Sequence, residues 1–285
     1  MGTMNSSWII FAIISGLFVS AREIYIKRYI NYSAEIVGFT TRLFGSVILI
    51  IVAYKSKIVI VDIPVFFIIT FSSVIITAIT TVIRLRLIKQ EDISLTTPWL
   101  GTIPVFMVLW TALIFHEVPS WTSLIGILLV CIGSFAIGVT GKTMHFNKAS
   151  FLMLLIAILI GFTTSMDKIA ILASTAITYT LVWTLSSTVL MFGIAKKNSS
   201  KVLIIDKHLF IQAIFWVGEF VCQMLSVQYS SVLTSGTTYV KTLTMINIVI
   251  TTFLGSIVFK EQDLKKRVFS SLLIFLGASI IVLFR

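Results

Sequence analysis

Apolar runs of roughly twenty residues follow one another along almost the whole chain, separated by short polar corners. About 20 apolar helical residues match the thickness of the hydrocarbon core of a bilayer. The runs are continuous rather than alternating in polarity, which favours membrane-spanning helices over the strands of a barrel. The pattern predicts ten helices in an all-α integral membrane protein, at 7–29, 33–54, 62–84, 92–115, 120–140, 149–172, 175–195, 208–229, 232–259 and 264–284.

The chain also contains an internal repeat. Glu117 follows one apolar helix and precedes another that carries Gly133, and Glu261 and Gly277 occupy the same places 144 residues later. The first and sixth predicted helices agree at an offset of 145 residues, which sets Arg22-Glu23 opposite Asp167-Lys168. Repeats of this kind determine the architecture of a chain.

The repeat divides the ten helices into two halves of five, residues 1–145 and 146–285. Because five is odd, the second half must enter the membrane from the side opposite to the first. The sequence therefore predicts two inverted five-helix repeats, an arrangement found in many secondary transporters with a binding site near the midplane of the membrane.

Composition agrees with a membrane protein. Hydrophobic residues make up 58% of the chain and charged residues only 12%, whereas soluble domains carry about 25% charged residues. The net charge of +11 lies mainly in corners on one side of the predicted membrane, so it indicates orientation rather than nucleic-acid binding. The positive-inside rule makes that side cytoplasmic and places both termini on the non-cytoplasmic face of a cell membrane, either plasma or inner.

Several of these features occur together in one known family. The corners His116-Glu117 and Lys260-Glu261, the glycine-bearing helix after each, and Arg42 in the second helix give a sequence that resembles the drug/metabolite transporter superfamily, in particular its ten-helix EamA-like members. The glycine that often precedes the corner glutamate is absent in both halves. The resemblance implies transport of a small organic metabolite or drug, often an amino acid, by alternating access.

The eighth predicted helix carries a polar stripe at helical spacing, formed by Gln212, Trp216, Glu219, Gln223 and Ser226. A charged side chain at the bilayer centre costs about 2.5–3.5 kcal/mol on insertion scales, so Glu219 requires a reason. Either it is buried against a structural partner, or the stripe is a cavity wall that holds substrate or a proton. Trp216 and Gln223 are the accompanying candidates for substrate binding.

The ninth predicted helix adds Tyr239, Lys241, Thr244 and Asn247 as candidate binding residues. Lys241 either reaches a membrane surface with its long side chain, pairs with Glu219, or binds an anionic group of the substrate. The resemblance supports the last role, because related sugar-phosphate and nucleotide-sugar carriers use a lysine in this helix. Tyr239 is an equally good candidate for simple packing.

Two further candidates lie in the second and seventh helices. Arg42 stays charged in practice and either pairs with Glu23 or Glu35 or contacts the substrate. Trp183 sits deep enough in its helix to belong to an aromatic wall rather than to an interface.

The charge pairs Arg22-Glu23 and Asp167-Lys168 approach opposite membrane faces, because their helices run in opposite directions. We interpret them as gates that close alternately; the alternative is that long side chains reach outward from helix ends. Pro98, Gly101 and Pro104 allow bending in the fourth helix, whereas the ninth helix has no such residues, so flexibility is expected in the fourth alone.

The sequence thus predicts export of a small polar metabolite, such as an amino acid, with multidrug or organic-cation efflux as the alternative. No cofactor, metal or nucleic acid is expected. An enzyme is disfavoured, because the histidines His116, His145 and His208 all fall in separate corners. A proton is the candidate coupling ion, the lipid bilayer and the substrate are the expected partners, and the chain is expected to be a monomer or a homodimer.

Overall fold

The computed structural model describes residues 7–90, 99–138, 148–198, 202–259 and 264–284. Over these residues the chain forms helices and no strands. The helical segments are α1 (Ser7–Tyr29), α2 (Ala34–Ala53), α3 (Ile63–Gln90), α4 (Ile103–Phe115), α5 (Trp121–Gly138), α6 (Lys148–Leu172), α7 (Ala176–Asn198), α8 (Lys207–Ser230), α9 (Gly236–Thr244), α10 (Ile246–Phe259) and α11 (Leu264–Leu283).

Six of these helices, namely α1, α2, α3, α6, α7 and α8, are long and apolar enough to cross a membrane. Shorter apolar helices occur at Ile103–Phe115, Trp121–Ala136 and Phe269–Leu283. Many large apolar side chains on these helices are exposed at the surface of the bundle, where lipid rather than water would cover them. The protein is therefore a multi-pass membrane protein, as the sequence predicts.

The predicted fourth helix, 92–115, is interrupted at Gly101 and Thr102 in the part of it that the structure describes. Residues 92–98, including Pro98, lie outside the described residues. Gly101 and Thr102 form a turn in which the Thr102 amide donates to the Trp99 carbonyl at 3.2 Å. α4 begins after this turn, with Pro104 in its first turn, where a missing amide hydrogen costs nothing.

The predicted ninth helix, 232–259, is interrupted at Met245, so the expectation that only the fourth helix is broken was wrong. No proline or glycine lies at this point; two threonines precede the break. Thr242 Oγ1 donates to the Thr238 carbonyl and Thr244 Oγ1 to the Val240 carbonyl, both at 2.8 Å. Such bonds back to the preceding turn bend helices, and the Met245 amide turns to the Thr242 carbonyl three residues earlier.

Four helix pairs make the most extensive contacts in the bundle: α1 with α8, α3 with α6, α2 with α7, and α5 with α11. α1 also packs against α9 and α10, and α6 packs against α4. Each of these pairs joins one helix from residues 7–138 to one from residues 148–284. Neither part of the chain therefore forms a separate bundle.

Glycines allow the closest of these contacts, between α5 and α11. A Cβ atom added at Gly277 would lie 2.5 Å from the Gly126 carbonyl oxygen, and one added at Gly133 would lie 2.8 Å from the Ser270 carbonyl oxygen. Only glycine permits two helix backbones to approach so closely, a common feature of membrane helix pairs.

Candidate functional site

Adjoining cavities of about 140, 70 and 50 Å³ lie inside the bundle. Arg22 and Arg84 line all three, so the cavities meet at this point between α1 and α3. The largest is enclosed by helices from both parts of the chain, including α2, α6, α7, α8 and α9. The charged residues on the cavity walls are Arg22, Arg42, Arg84, Lys241, Glu23, Asp167 and Glu219.

Two of the three carboxylates are held in ion pairs. Arg22 Nη1 lies 2.8 Å from Glu219 Oε2, with only 11% and 15% of the two side chains exposed, and this pair joins α1 to α8. Arg84 pairs with Glu23 and joins α3 to α1. Removing charges from water is expensive unless they are paired, so these contacts explain how charged groups are accommodated in the bundle.

Asp167 is buried and held differently. Its Oδ1 atom accepts hydrogen bonds from the Tyr179 hydroxyl and from Ser73 Oγ, the latter at 3.1 Å. Trp183 Nε1 in turn donates to Ser73 Oγ at 3.1 Å. Neutral donors thus fix this carboxylate, and within the described part of the chain no lysine or arginine forms an ion pair with it.

Arg42 does not pair with Glu23 or Glu35, as one interpretation of the sequence proposed, because those carboxylates bind Arg84 and Arg86. Arg42 Nε instead donates to Ser187 Oγ at 2.6 Å. Its other donors reach the Gly38 carbonyl and Thr81 Oγ1 at 3.1 and 3.0 Å. The guanidinium carbon lies 5.7 and 5.6 Å from the ring centres of Trp183 and Trp216.

Lys241 lines two of the cavities together with Glu219. Its electrostatic neighbours are Glu219, Arg84, Arg22 and Asp167. Glu219 is already bound to Arg22, and no ion pair to Lys241 occurs among the residues that the structure describes. Among the described residues, the Lys241 ammonium therefore lines the cavities without a carboxylate in direct contact.

Five of the six remaining predicted binding residues line the cavities. Trp183, Trp216 and Gln223 line the largest cavity, and Thr244 and Asn247 line the smallest. Asn247 Oδ1 is buried and has no hydrogen-bond partner among the described residues. Thr244 uses its hydroxyl within its own helix, and Tyr239 is buried in the apolar core away from the three cavities.

Asp167 and Lys168 are neighbours in the sequence but have different partners in the structure. Lys168 Nζ lies 2.6 Å from Glu117 Oε1, and Glu117 Oε2 accepts from the Ser235 amide at 3.0 Å. This ionic link joins the end of α6 to the corner after α4 and to the start of α9. In the sequence, Glu117 is recognisable only as part of a corner motif; the matching corner, Lys260-Glu261, lies outside the described residues.

The sequence pattern did not single out Ser73 and Tyr179, the two residues that donate hydrogen bonds to Asp167. Ser73 belongs to a stripe of hydroxyls on α3 that includes Thr70, Thr77 and Thr80, but such stripes often bond only to their own helix. Tyr179 lies in the first turn of α7 and no pattern distinguishes it from a packing residue. Only the packing of α3 and α7 around α6 brings these donors to one carboxylate.

Comparison with known proteins agrees with this picture. No curated protein matches the chain. A solved crystal structure is similar over 98% of this chain and 97% of that chain, with a TM-score of 0.74 and 13% identity, which shows a shared fold and no more. Residues 6–139 match the model of the EamA-like transporter family. Residues 6–139 are therefore similar to the EamA-like transporter family, which belongs to the drug/metabolite transporter superfamily.

Proposed function

We propose that the chain is a secondary transporter that exports a small polar metabolite, such as an amino acid or a related compound, through its central cavity. The observation that carries this proposal is a cavity inside the membrane bundle that is lined by charges of both signs from both parts of the chain. Ionisable groups inside a membrane protein are costly and commonly mark the path of a substrate. A solute with its own charges would be bound by such a wall.

The balance of charges favours an anionic or zwitterionic solute over an organic cation. Arg42 and Lys241 line the cavity without carboxylate partners in the described structure. The aromatic rings of Trp183 and Trp216 would suit a cationic drug, but the Arg42 guanidinium already lies near both rings. Repulsion from Arg42 would oppose an organic cation there, so multidrug efflux remains the second candidate.

We further propose that residues 1–145 and 146–285 are inverted repeats related by a twofold axis in the membrane plane. Such an axis would exchange the α1–α8 pair with α6–α3, and both pairs are present. The close contact of Gly126 with Gly277 would be exchanged with that of Gly133 and Ser270. Two residues at equivalent positions of the repeats can touch only where the twofold axis passes between them. Arg42 and Ser187 are equivalent at the repeat offset of 145 residues, and they are hydrogen-bonded to each other.

Alternating access would then use the ion pairs as gates. Arg22 and Glu23 form pairs where the three cavities meet, and Lys168 pairs with Glu117 outside the linings of these cavities. Asp167, next to Lys168 in sequence, faces the cavity. We propose that the two sets of contacts open in turn. If Glu219 carries a proton during transport, the ion pair between Glu219 and Arg22 must break before Glu219 is protonated.

The orientation proposal predicts that a reporter active only in the cytoplasm is inactive when it is fused after residue 285. The corners rich in lysine and arginine lie on the cytoplasmic side in this proposal. An even number of membrane-spanning helices then puts the C-terminus on the same side as the N-terminus. As a matched control, the same reporter fused after Asn198, beside Lys196 and Lys197, should be active. Activity at the C-terminus would contradict the proposed orientation.

The site proposal predicts which ligands stabilise the purified protein. Amino acids, nucleotides, sugar phosphates and quaternary amines are compared by thermal unfolding of the wild type and of Glu219→Gln and Lys241→Ala. A ligand at about 100 times its dissociation constant stabilises by about 2.7 kcal/mol. We expect an amino acid or related compound to stabilise the wild type and neither variant.

Lys57→Gln serves as the control, because Lys57 is an exposed cation in a corner away from the cavity. It should respond to the ligand as the wild type does. Stabilisation that survives in both cavity variants would remove Glu219 and Lys241 from the site. Stabilisation by quaternary amines alone would favour organic-cation efflux.

A further inference from the structure

We infer that Asp167 binds the amino group of the substrate, so that a bipolar solute lies in the cavity with its amine at Asp167 and its acidic group at Arg42 and Lys241. This inference rests on the proposed transport function and narrows its substrate class. It assigns to Asp167 a binding role in addition to the gating role proposed above.

The first support is the hydrogen bonding of Asp167. Of the three carboxylates on the cavity walls, Glu23 and Glu219 are paired with arginines, whereas Asp167 is not. Both of its bonds from described residues, from Ser73 and Tyr179, end on Oδ1. The second oxygen, Oδ2, is therefore available to a donor from the cavity. An ammonium group carries three donors and no acceptor, which suits this oxygen.

The aromatic rings next to Asp167 are the second support. Trp183, Trp216 and Phe220 line the same cavity as Asp167. The Phe220 ring lies 4.9 Å from Trp183 and 5.4 Å from Trp216 between ring centres, and 6.4 Å from Tyr179. Because the Arg42 guanidinium already lies near Trp183 and Trp216, these rings would contact the apolar part of a solute rather than its ammonium group. A carboxylate beside such rings can bind the charged amine of a solute, while the rings contact its carbon atoms.

The distribution of charge along the cavity is the third support. At matching positions of the repeat, the first helix carries Arg22 and the sixth carries Asp167, and both line the largest cavity. Arg22 is already paired with Glu219, which leaves Asp167 as the carboxylate on the described cavity walls without a cationic partner in direct contact. Arg42 and Lys241 add positive charge without direct carboxylate partners. A cavity that is polarised in this way would orient a zwitterion, because reversing the solute places like charges together.

Matched ligands test the inference. Each L-amino acid that binds the purified wild type is compared by calorimetry with its des-amino acid, which keeps the carboxylate and lacks the amine. We expect the wild type to prefer the amino acid by about ten- to a hundredfold, the range of a hydrogen bond between charged groups. Asp167→Asn should abolish this preference without weakening the binding of the des-amino acid.

Asp62→Asn is the matched control, because Asp62 is an exposed aspartate that caps α3 outside the cavity, where Oδ1 accepts from the Val65 amide. It should keep the preference of the wild type. If Asp167→Asn does not fold, Ser73→Ala carries the comparison, since it removes one bond that orients the same carboxylate. A smaller loss of preference is then expected.

The possible failures are distinguishable. If Asp167→Asn keeps the wild-type preference for the amino acid, the inference is overturned and the transport proposal stands. If the wild type binds des-amino acids as well as amino acids, the amine has no site and the inference is again overturned. If no amine-bearing or anionic solute binds the wild type, the proposed function fails, and the inference fails with it.

Discussion

Replacing Arg22 by Met is expected to destabilise the protein by about 3–5 kcal/mol, because the substitution leaves Glu219 as a buried carboxylate without its counter-charge. The Arg22–Glu219 pair is the contact that joins α1 to α8 at the cavity, with most of both side chains removed from solvent. Unfolding of the purified protein by denaturant or heat measures the loss.

Two further variants separate stability from function. The double variant Arg22→Met, Glu219→Met removes both charges and should regain most of the lost stability, since an apolar pair of similar size often replaces a buried ion pair without cost. It should nevertheless fail to bind or transport the substrate. Arg28→Met on the same helix is the control: Arg28 is exposed and stacks near Tyr29, and such a contact contributes about 0.5–1 kcal/mol. Equal stability of the Arg22 and Arg28 variants would show that the Glu219 pair is not structural.

Replacing Gly277 by Leu is expected to destabilise the protein by about 3 kcal/mol or more, the upper range for overpacking of a tightly packed core. Even the first added atom would lie 2.5 Å from the Gly126 carbonyl oxygen, which is backbone and cannot turn away. α5 and α11 would have to separate. The yield of monodisperse protein and its unfolding temperature measure this effect.

Gly193→Leu provides the matched control for that substitution. Gly193 also lies within a helix, α7, but a Cβ atom there meets nothing within 4 Å. Leucine at this exposed position should be tolerated or slightly stabilising, because leucine has a higher helix propensity than glycine. If Gly277→Leu folded as well as Gly193→Leu, the close crossing of α5 and α11 would be refuted.

The positions of most helices were predictable because the length of an apolar run is set by the thickness of the bilayer. The interruption at Met245 was not, because the signals for a helix break are proline and glycine. In this segment, the hydroxyls of Thr242 and Thr244 bond back to preceding carbonyls just before the interruption. Threonines are common in membrane helices, and nothing in their spacing distinguishes those that bend a helix from those that do not.

The composition of the cavity was largely predictable, whereas its ionic contacts were not. Helical spacing placed Glu219, Trp216 and Gln223 on one face of α8, and all three line the largest cavity. The partner of Glu219 depends on which helix packs against that face. α1 does so, and it brings Arg22 rather than Lys241 into contact. Such choices depend on the rotation of packed helices, which a single sequence does not encode in any local pattern.

The hydrogen bond between Arg42 and Ser187 has a consequence for the ancestry of the protein. If the halves arose by duplication, an ancestral dimer of identical half-length chains would have placed the same residue twice at this point. Two arginines there would repel each other in a buried site, and two serines would leave no cation near Trp183 and Trp216. Under that history, the central cation became possible only after duplication allowed the two halves to diverge, and two copies of one half would not rebuild this site.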